Sequence, residues 1–567
     1  MKAKPKSQVS LEKYPLKKRL LNVLIELGLL SLSSVVFALS FPSFISDWGW
    51  FPLAFISVIP VFIVVYRCSW KVVPFYGIFY GYATYIIFNY WLSTFHPMAI
   101  VIVPTIYAVY FIFVMPILKL ADKLFPKYGY LVQVLIWIAY EFLRTQGFLG
   151  YPYGNIGYSQ FIFLPFIQIA SITGVWGVSA MVIFPSAWLG AALRKGFGGL
   201  KIFFREHRLE VYIYAGLFAL TLLYGAFAKY DYSDVERNFK VALIQHNSDT
   251  WKGGIDQYNK NFKILSGLSK EAVEKNKDIE MVVWSETAFV PGIDWYIRYR
   301  TDNEKTQLIR DFMTFMAEMP VPLLTGNGHG EALGYGEGQT DPTNIISEPT
   351  PYTAPNGETL YRVDYNSVLL YADGRLADTY RKTHLVPFTE NFPYQKLFPA
   401  FYQALKDKDY HFWEKGTERD AKHHFEWNGV KFSTPICYED VFGYLNRDFV
   451  LNGAQVIVNM TNDSWSGAVS AQMQHLAMAV FRSVENRRSM LRGSNSGMTV
   501  SIEPDGEITS MLGPFTESYL IAQVPVYDDQ TTIYTKFGNW FAYMALIGAI
   551  AALLFGIGRV IFLRIKK

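Results

Sequence analysis

The chain is poor in charge and almost free of cysteine. Asp, Glu, Lys and Arg make up 18% of its 567 residues, where a soluble protein carries about a quarter. The net charge is only +4, and nothing in it asks for a nucleic-acid partner. Two cysteines, Cys68 and Cys437, are too few for a disulfide scaffold. The nine histidines are scattered apart from His423 and His424, which read as a surface pair. There is no internal repeat, no low-complexity tract, no phosphate-binding glycine loop and no metal-ligand cluster. No metal and no cofactor are therefore expected.

What is abundant is apolar: 51% of the chain, with 17% aromatic. These residues gather into stretches near 19–40, 49–66, 73–93, 99–120, 130–146, 172–194, 210–228 and 541–563. Most approach the roughly 20 residues a helix needs to cross a hydrocarbon core. The expectation is an eight-span helical membrane bundle, seven spans within 1–228 and the last within 541–567, with one long polar block at 229–540. Positive charge flanks alternate connections. Lys13, Lys17, Lys18 and Arg19 precede the first span, Arg67 and Lys71 follow the second, Lys119, Lys123 and Lys127 the fourth. Arg194, Lys195, Lys201, Arg205 and Arg208 follow the sixth, and Arg559, Arg564, Lys566 and Lys567 close the chain. The connections around 41–48, 94–98 and 147–171 have almost none. By the positive-inside rule both termini face the cytoplasm and the polar block lies opposite. The first span reads as an uncleaved anchor, since its apolar run is too long for a signal peptide. Cys68 and Cys437 then fall on opposite sides of the membrane and cannot pair.

The polar block, about 300 residues, is long enough for one domain with its own core. Strand-like runs recur at 239–245, 281–286, 322–327, 367–372, 430–437, 454–460 and 498–504, with helix-like patterns at 256–274, 302–318 and 470–489. Runs such as DIEMVVW and AQVIVNM are apolar on both faces, as strands buried under helices are. A layered α/β domain follows. Asp373-Gly374 and Asp505-Gly506 read as hairpin-type turns.

Three segments of this block end in reactive side chains. Glu286 ends MVVWSE, Cys437 ends KFSTPIC, and Lys382 lies in YRKTHLVPF. A thiol of ordinary pKa needs a base, which a partly buried Glu supplies. The oxyanion of acyl transfer needs a positive partner, which a Lys ammonium supplies. Taken together they make an acyl-transfer site without histidine. The order WSE, YRKTHLVPFTE, PICYED, NDSW resembles the nitrilase superfamily, whose Glu-Lys-Cys triad sits on an αββα sandwich. More narrowly, EFLR (141–144), GYSQ (157–160), YRKTHLVPFTENFP (380–393), ICYE (436–439), NDSW (462–465) and LRGSNSG (491–497) resemble the bacterial apolipoprotein N-acyltransferases. In that family a nitrilase-like domain is inserted before the last of eight spans.

The resemblance implies Glu286 as general base, Lys382 as oxyanion stabiliser and Cys437 as acylated nucleophile. It implies supporting or substrate-binding roles for Glu390, Tyr438, Glu439, Asn366 and Trp251. It also implies a bacterial inner-membrane enzyme with a phospholipid acyl donor and a diacylglyceryl-modified apolipoprotein as acceptor. Ser285, Thr389 and Ser466 depart from the family pattern beside functional positions, which bears on loop shape and substrate preference. Two other readings compete: a membrane-tethered amidase or nitrilase acting on small C–N substrates, and a non-catalytic lipoprotein-binding scaffold. Between Phe388 and Trp413 the chain holds nine aromatics, namely Phe388, Phe392, Tyr394, Phe398, Phe401, Tyr402, Tyr410, Phe412 and Trp413. So apolar a loop is expected to act as a membrane-facing lid.

Overall fold

The structure is a computed structural model describing residues 16–95, 98–194, 196–228, 232, 235–334, 350–353, 357–392, 394–406, 412–528 and 531–566. Two compact units are present, residues 1–228 with 539–567, and residues 229–538.

The first unit is helical. Its principal helices are α1 (Leu16–Leu39), α2 (Ile59–Arg67), α3 (Val73–Phe88), α4 (Ala99–Leu124), α5 (Gly129–Leu143), α6 (Val175–Leu193) and α7 (Arg208–Ala228), and it is completed by a last helix, α12 (Trp540–Ile565). Five of them, α1, α4, α6, α7 and α12, are long and apolar enough to cross a membrane. The other three expected spans form shorter apolar helices, at 51–67, 73–88 and 129–143. Each has a local reason. Pro52 and Pro60 divide the stretch at 51–67 into pieces, because proline cannot supply the i→i−4 bond. The run read as 73–93 stops at Phe88, capped by Asn89. The run read as 130–146 stops at Leu143, with Arg144 at its end. A 16-residue helix such as α3 is about 24 Å long, short of a hydrocarbon core of about 30 Å.

Helices buried among equally apolar neighbours gain from close backbone approach and from polar ties. Gly77 and Gly81 on α3 supply the approach: an added Cβ would lie 2.1 Å from the Phe111 carbonyl oxygen and 2.6 Å from that of Tyr107 on α4. The ties include Ser33 Oγ donating to the Ser57 carbonyl at 2.6 Å and a hydrogen bond between the Ser34 and Thr84 hydroxyls at 2.8 Å.

The second unit is a two-sheet sandwich. Its strands are β1 (Asn238–Gln245), β2 (Met281–Trp284), β3 (Leu323–Gly334), β4 (Thr350–Thr353), β5 (Thr359–Ala372), β6 (Arg375–Arg381), β7 (Phe425–Trp427), β8 (Val430–Ser433), β9 (Val456–Thr461), β10 (Ser489–Ser494), β11 (Thr499–Ile502), β12 (Ile508–Leu512) and β13 (Ser518–Pro525). One sheet runs β13-β1-β2-β3-β5-β4 with β6 beside β5, the other β12-β11-β10-β9-β8-β7. In each sheet the central pairs are parallel (β1/β2, β2/β3; β8/β9, β9/β10) and the flanking pairs antiparallel. Helices α8 (Ile255–Lys275), α9 (Asn303–Glu318), α10 (Gly443–Leu451) and α11 (Val469–Asn486) complete the unit.

Strand alternation explains the layering. Ala242, Ile244, Val282 and Trp284 join Leu265 of α8 and Phe312 and Phe315 of α9 in one core cluster. Between them, Leu243 and Val283 point the other way, onto Gly493 of the opposite sheet. Phe239 likewise meets Phe432 across the sandwich, ring centres 5.8 Å apart. The β5–β6 turn is Asp373-Gly374, both at positive φ, as a tight hairpin turn requires.

Gly77→Val should drive a branched side chain into the α4 backbone. Overpacking of this kind costs about 1–3 kcal/mol. The full-length protein in detergent should lose several degrees of thermal stability, while Gly28→Val, which meets nothing within 4 Å, should leave it unchanged. Equal melting curves for the two would remove close approach as the cause.

Candidate active site

Cys437 stands just past β8, where Ile436 bridges Met460 of β9 and a 3₁₀ turn, Cys437–Val441, begins. Its φ is +48°, a left-handed value that a side chain adopts only when its surroundings impose it. Glu439 does much of the imposing. Its Oε2 accepts the Ile436 N–H at 2.8 Å. Its Oε1 accepts the N–H groups of Thr383 (2.7 Å) and His384 (2.9 Å) and the Thr383 hydroxyl (2.9 Å). The Tyr380 hydroxyl donates to the same carboxylate at 2.8 Å. One fully buried carboxylate therefore joins the nucleophile turn to the segment that carries Lys382. Burial pushes Glu439 up, and these donors oppose the rise.

Lys382 continues from β6, with its N–H on the Asn366 carbonyl of β5 at 2.8 Å. Its side chain is fully buried, and Nζ donates to Glu390 Oε1 at 2.9 Å and Glu286 Oε1 at 3.3 Å. Glu286 lies just beyond the end of β2. Asn366 Nδ2 donates to its Oε1 at 2.9 Å, and the Asn462 N–H to its Oε2 at 3.0 Å. Asn366 Nδ2 also reaches Glu390 Oε1 at 3.1 Å, while Glu390 Oε2 accepts the Val386 N–H at 2.8 Å. The Cys437 thiol is within hydrogen-bonding reach of Glu286 and of the Thr461 hydroxyl.

Burial dominates the electrostatics. It pushes the Cys437 thiol well up, and the Glu286 carboxylate adds to the rise while Lys382 opposes it. Burial also raises Glu286, against the Lys382 ammonium and with the repulsion of Glu390. For Lys382 burial works against the charge, yet Glu390 and Glu286 hold it above its usual range. At rest the site therefore holds a protonated thiol beside an ammonium. Glu286 is the group placed to take the thiol proton when an electrophile arrives, and Lys382 the group placed to meet an oxyanion.

The remaining expected residues divide. Glu390 and Asn366 belong to the cluster itself, and Glu439 holds its two halves together. Tyr438 is buried with its ring 5.1 Å from Phe442 and 6.1 Å from His384. Trp251 is exposed. Its neighbour Thr250 donates to Asn462 Oδ1 at 3.1 Å, so the Trp251 loop adjoins the loop whose backbone binds Glu286. In the aromatic segment Phe392, Tyr402 and Phe412 are buried, whereas Tyr394, Leu397 and Phe398 are exposed. Tyr410 lies outside the described residues. His423 and His424 are no free surface pair: both are half-buried, and His423 Nε2 sits 3.0 Å from Asp378 Oδ2.

Sequence reasoning missed the charged network beside the thiol. His475 of α11 holds Asp440 Oδ1 at 2.6 Å through Nε2 and Asp463 Oδ1 at 3.0 Å through Nδ1. Arg492 of β10 donates to Asp463 Oδ2 at 2.9 Å and reaches Asp440 Oδ2 at 3.5 Å. All four are buried. Asp440, Asp463 and Arg492 stood in the strings PICYED, NDSW and LRGSNSG, which was the available signal; His475 carried none. Burial opposes the His475 charge, but the two carboxylates raise its pKa to about 9.

Because the folded pKa of His475 lies above the unfolded value of about 6.5, its contribution is complete below pH 6.5 and is lost as pH rises through about 9. Thermal unfolding from pH 6.5 to 9.5 should show a larger fall in melting temperature for the wild type than for His475→Gln. Parallel curves would mean that His475 is neutral throughout.

The comparisons with known proteins match this two-part construction. The apolipoprotein N-acyltransferase N-terminal domain matches residues 33–188, and the carbon-nitrogen hydrolase domain matches residues 240–534. Apolipoprotein N-acyltransferase 1 of Treponema denticola is 39% identical over 95% of this chain and 98% of its own length. Its namesake in Treponema pallidum is 38% identical over 88% and 90%. The apolipoprotein N-acyltransferase of Geobacter metallireducens is 29% identical over 92% and 94%. With both halves matched in order and the likeness running nearly end to end, the chain belongs to the apolipoprotein N-acyltransferase family.

Proposed function

We propose that this protein moves a fatty acyl chain from a membrane phospholipid to Cys437, then to the α-amine of an S-diacylglyceryl-cysteine at the N-terminus of an apolipoprotein. The observation that carries the reading is the buried contact of Glu286, Lys382 and Cys437 in a chain that also has helices apolar enough to cross a membrane. In the first step Glu286 takes the thiol proton and sulfur attacks the ester carbonyl. The oxyanion forms against Lys382. Collapse breaks the acyl–oxygen bond, and Glu286 returns the proton to the leaving lysophospholipid. In the second step the amine attacks the thioester, Glu286 takes a proton from nitrogen, and the thiol is restored. Water reaching the thioester would waste the acyl group, so burial of the thiol supports transfer over hydrolysis.

The arrangement we favour has eight spans, seven in 1–228 and one in 541–567, with block 229–540 as the extracytoplasmic catalytic domain. Both termini would be cytoplasmic, in a bacterial inner membrane. The alternation of basic connections supports it. The exposed Tyr394, Leu397 and Phe398 fit a lid at the bilayer surface.

Incubated with phospholipid alone, wild-type protein should gain one fatty acyl mass on Cys437 and lose it when lipopeptide is added. Initial-rate plots at several lipopeptide concentrations should be parallel, as a covalent relay requires. Cys437→Ala and Glu286→Gln should not acylate. Lys382→Met should be slowed by about 10²–10³ if it acts as a single oxyanion donor. Intersecting plots, or transfer by Cys437→Ala above about a hundredth of wild type, would end the thioester scheme. Leu397→Ser with Phe398→Ser should slow transfer from liposomes while leaving transfer from short-chain soluble esters intact. Equal loss on both donors would make the segment ordinary packing.

A further inference from the structure

The helical unit buries a cation that is only partly hydrogen-bonded. Arg144 follows the last residue of α5 and is 3% exposed. Its Nη1 donates to the Tyr107 hydroxyl and to the carbonyls of Tyr151 and Tyr153, both at 2.9 Å. The guanidinium also lies 5.3–5.7 Å from the ring centres of Tyr85, Tyr107 and Tyr140. Glu141, three residues back, acts on Arg144 through its charge without a hydrogen bond to it: its Oε1 accepts Trp137 Nε1 at 3.2 Å and the Ile156 N–H at 2.8 Å, and its Oε2 has no hydrogen-bond partner among the described residues. Nε and Nη2 of Arg144 have no hydrogen-bond partner among the described residues, and the Tyr140 hydroxyl beside them has none either. Carbonyls, ring faces and the end of α5 account for Nη1. They leave three of the five N–H groups of the fork unmet in an apolar setting, where an intramembrane charge marks function by default.

A groove of about 330 Å³ runs between α4, α5 and α12, lined by Phe113, Ile117, Ala139, Leu143, Ile550 and Leu553 as well as Tyr140 and Arg144. The volume is within the range of small-molecule sites. Phe113, Leu143 and Ile550 are exposed, so the groove opens sideways, where lipid would lie. Its residues come from the second half of α5 and the first half of α12. It therefore runs from the middle of the bundle to the end at which Arg144 stands.

We propose that this groove holds an acyl chain of one membrane phospholipid, with the anionic phosphodiester on the Nε–Nη2 edge of Arg144. The planar fork suits two phosphate oxygens at once, the apolar walls suit the chain, and headgroup and tail fall in the order the groove provides. Its occupancy does not depend on acyl transfer.

The test uses the full-length protein in nanodiscs of equimolar phosphatidylethanolamine, phosphatidylglycerol and diacylglycerol, released into native mass spectrometry. One phosphodiester lipid should remain bound when the others are stripped, and diacylglycerol should not. Arg144→Gln should lower the retained fraction at least tenfold, and Arg144→Lys should keep part of it. Cys437→Ala should retain lipid as the wild type does. Retention unchanged in Arg144→Gln, or equal for diacylglycerol, would overturn the site, as would loss in Cys437→Ala. Should Arg144→Gln not fold, the wild type still decides. A phospholipid with a photoreactive diazirine in its acyl chain should label peptides containing Phe113–Ile117 and Ile550–Leu553, and labelling spread evenly over α1 and α7 would refute the proposal.

Discussion

A single buried ammonium holds the catalytic cluster in one piece. Lys382 is shared by Glu286 and Glu390, and its charge opposes the rise that burial imposes on Glu286. Removing the positive charge would leave Glu286 and Glu390 facing one another across Asn366 without the cation they share. The sheet geometry answers to the same need. β2 brings Glu286, β5 brings Asn366, and β6 leads into Lys382, three neighbours within one sheet. The thiol comes from the other sheet. The site is thus the seam of the sandwich, and Glu439 is its fastening.

That division explains what the sequence made legible. Glu286 and Cys437 sit where apolar runs stop, and strand ends are where buried chemistry meets open space in sheets with parallel centres. Lys382 was legible from its string. Glu439 matched a family position, but its work of joining Ile436 to the Thr383–His384 backbone depends on a fold in which residues 383 and 439 touch. No local pattern carries that.

The unread strands have two causes. β10, SMLRGS, was not anticipated because Arg492 and two serines break its apolar run; the arginine is buried all the same, since Asp440 and Asp463 receive it. β6, β12 and β13 alternate weakly because they lie towards the sheet margins. Five of the expected spans were legible as long apolar helices, and three were not legible in length. Hydropathy reports composition, whereas the ends of the short helices follow from Pro52, Pro60, Asn89 and Arg144.

The buried, protonated state of Cys437 has a consequence for the life of the protein outside its catalytic cycle. Peroxides, disulfides and alkylating agents react with thiolates far faster than with thiols. A sulfur kept neutral by its surroundings is slow to be oxidised or to form mixed disulfides, whatever the redox poise of its compartment. The same desolvation that keeps this sulfur protonated also makes it durable. With Cys68 buried in the other unit, neither thiol of the chain is offered to a passing oxidant.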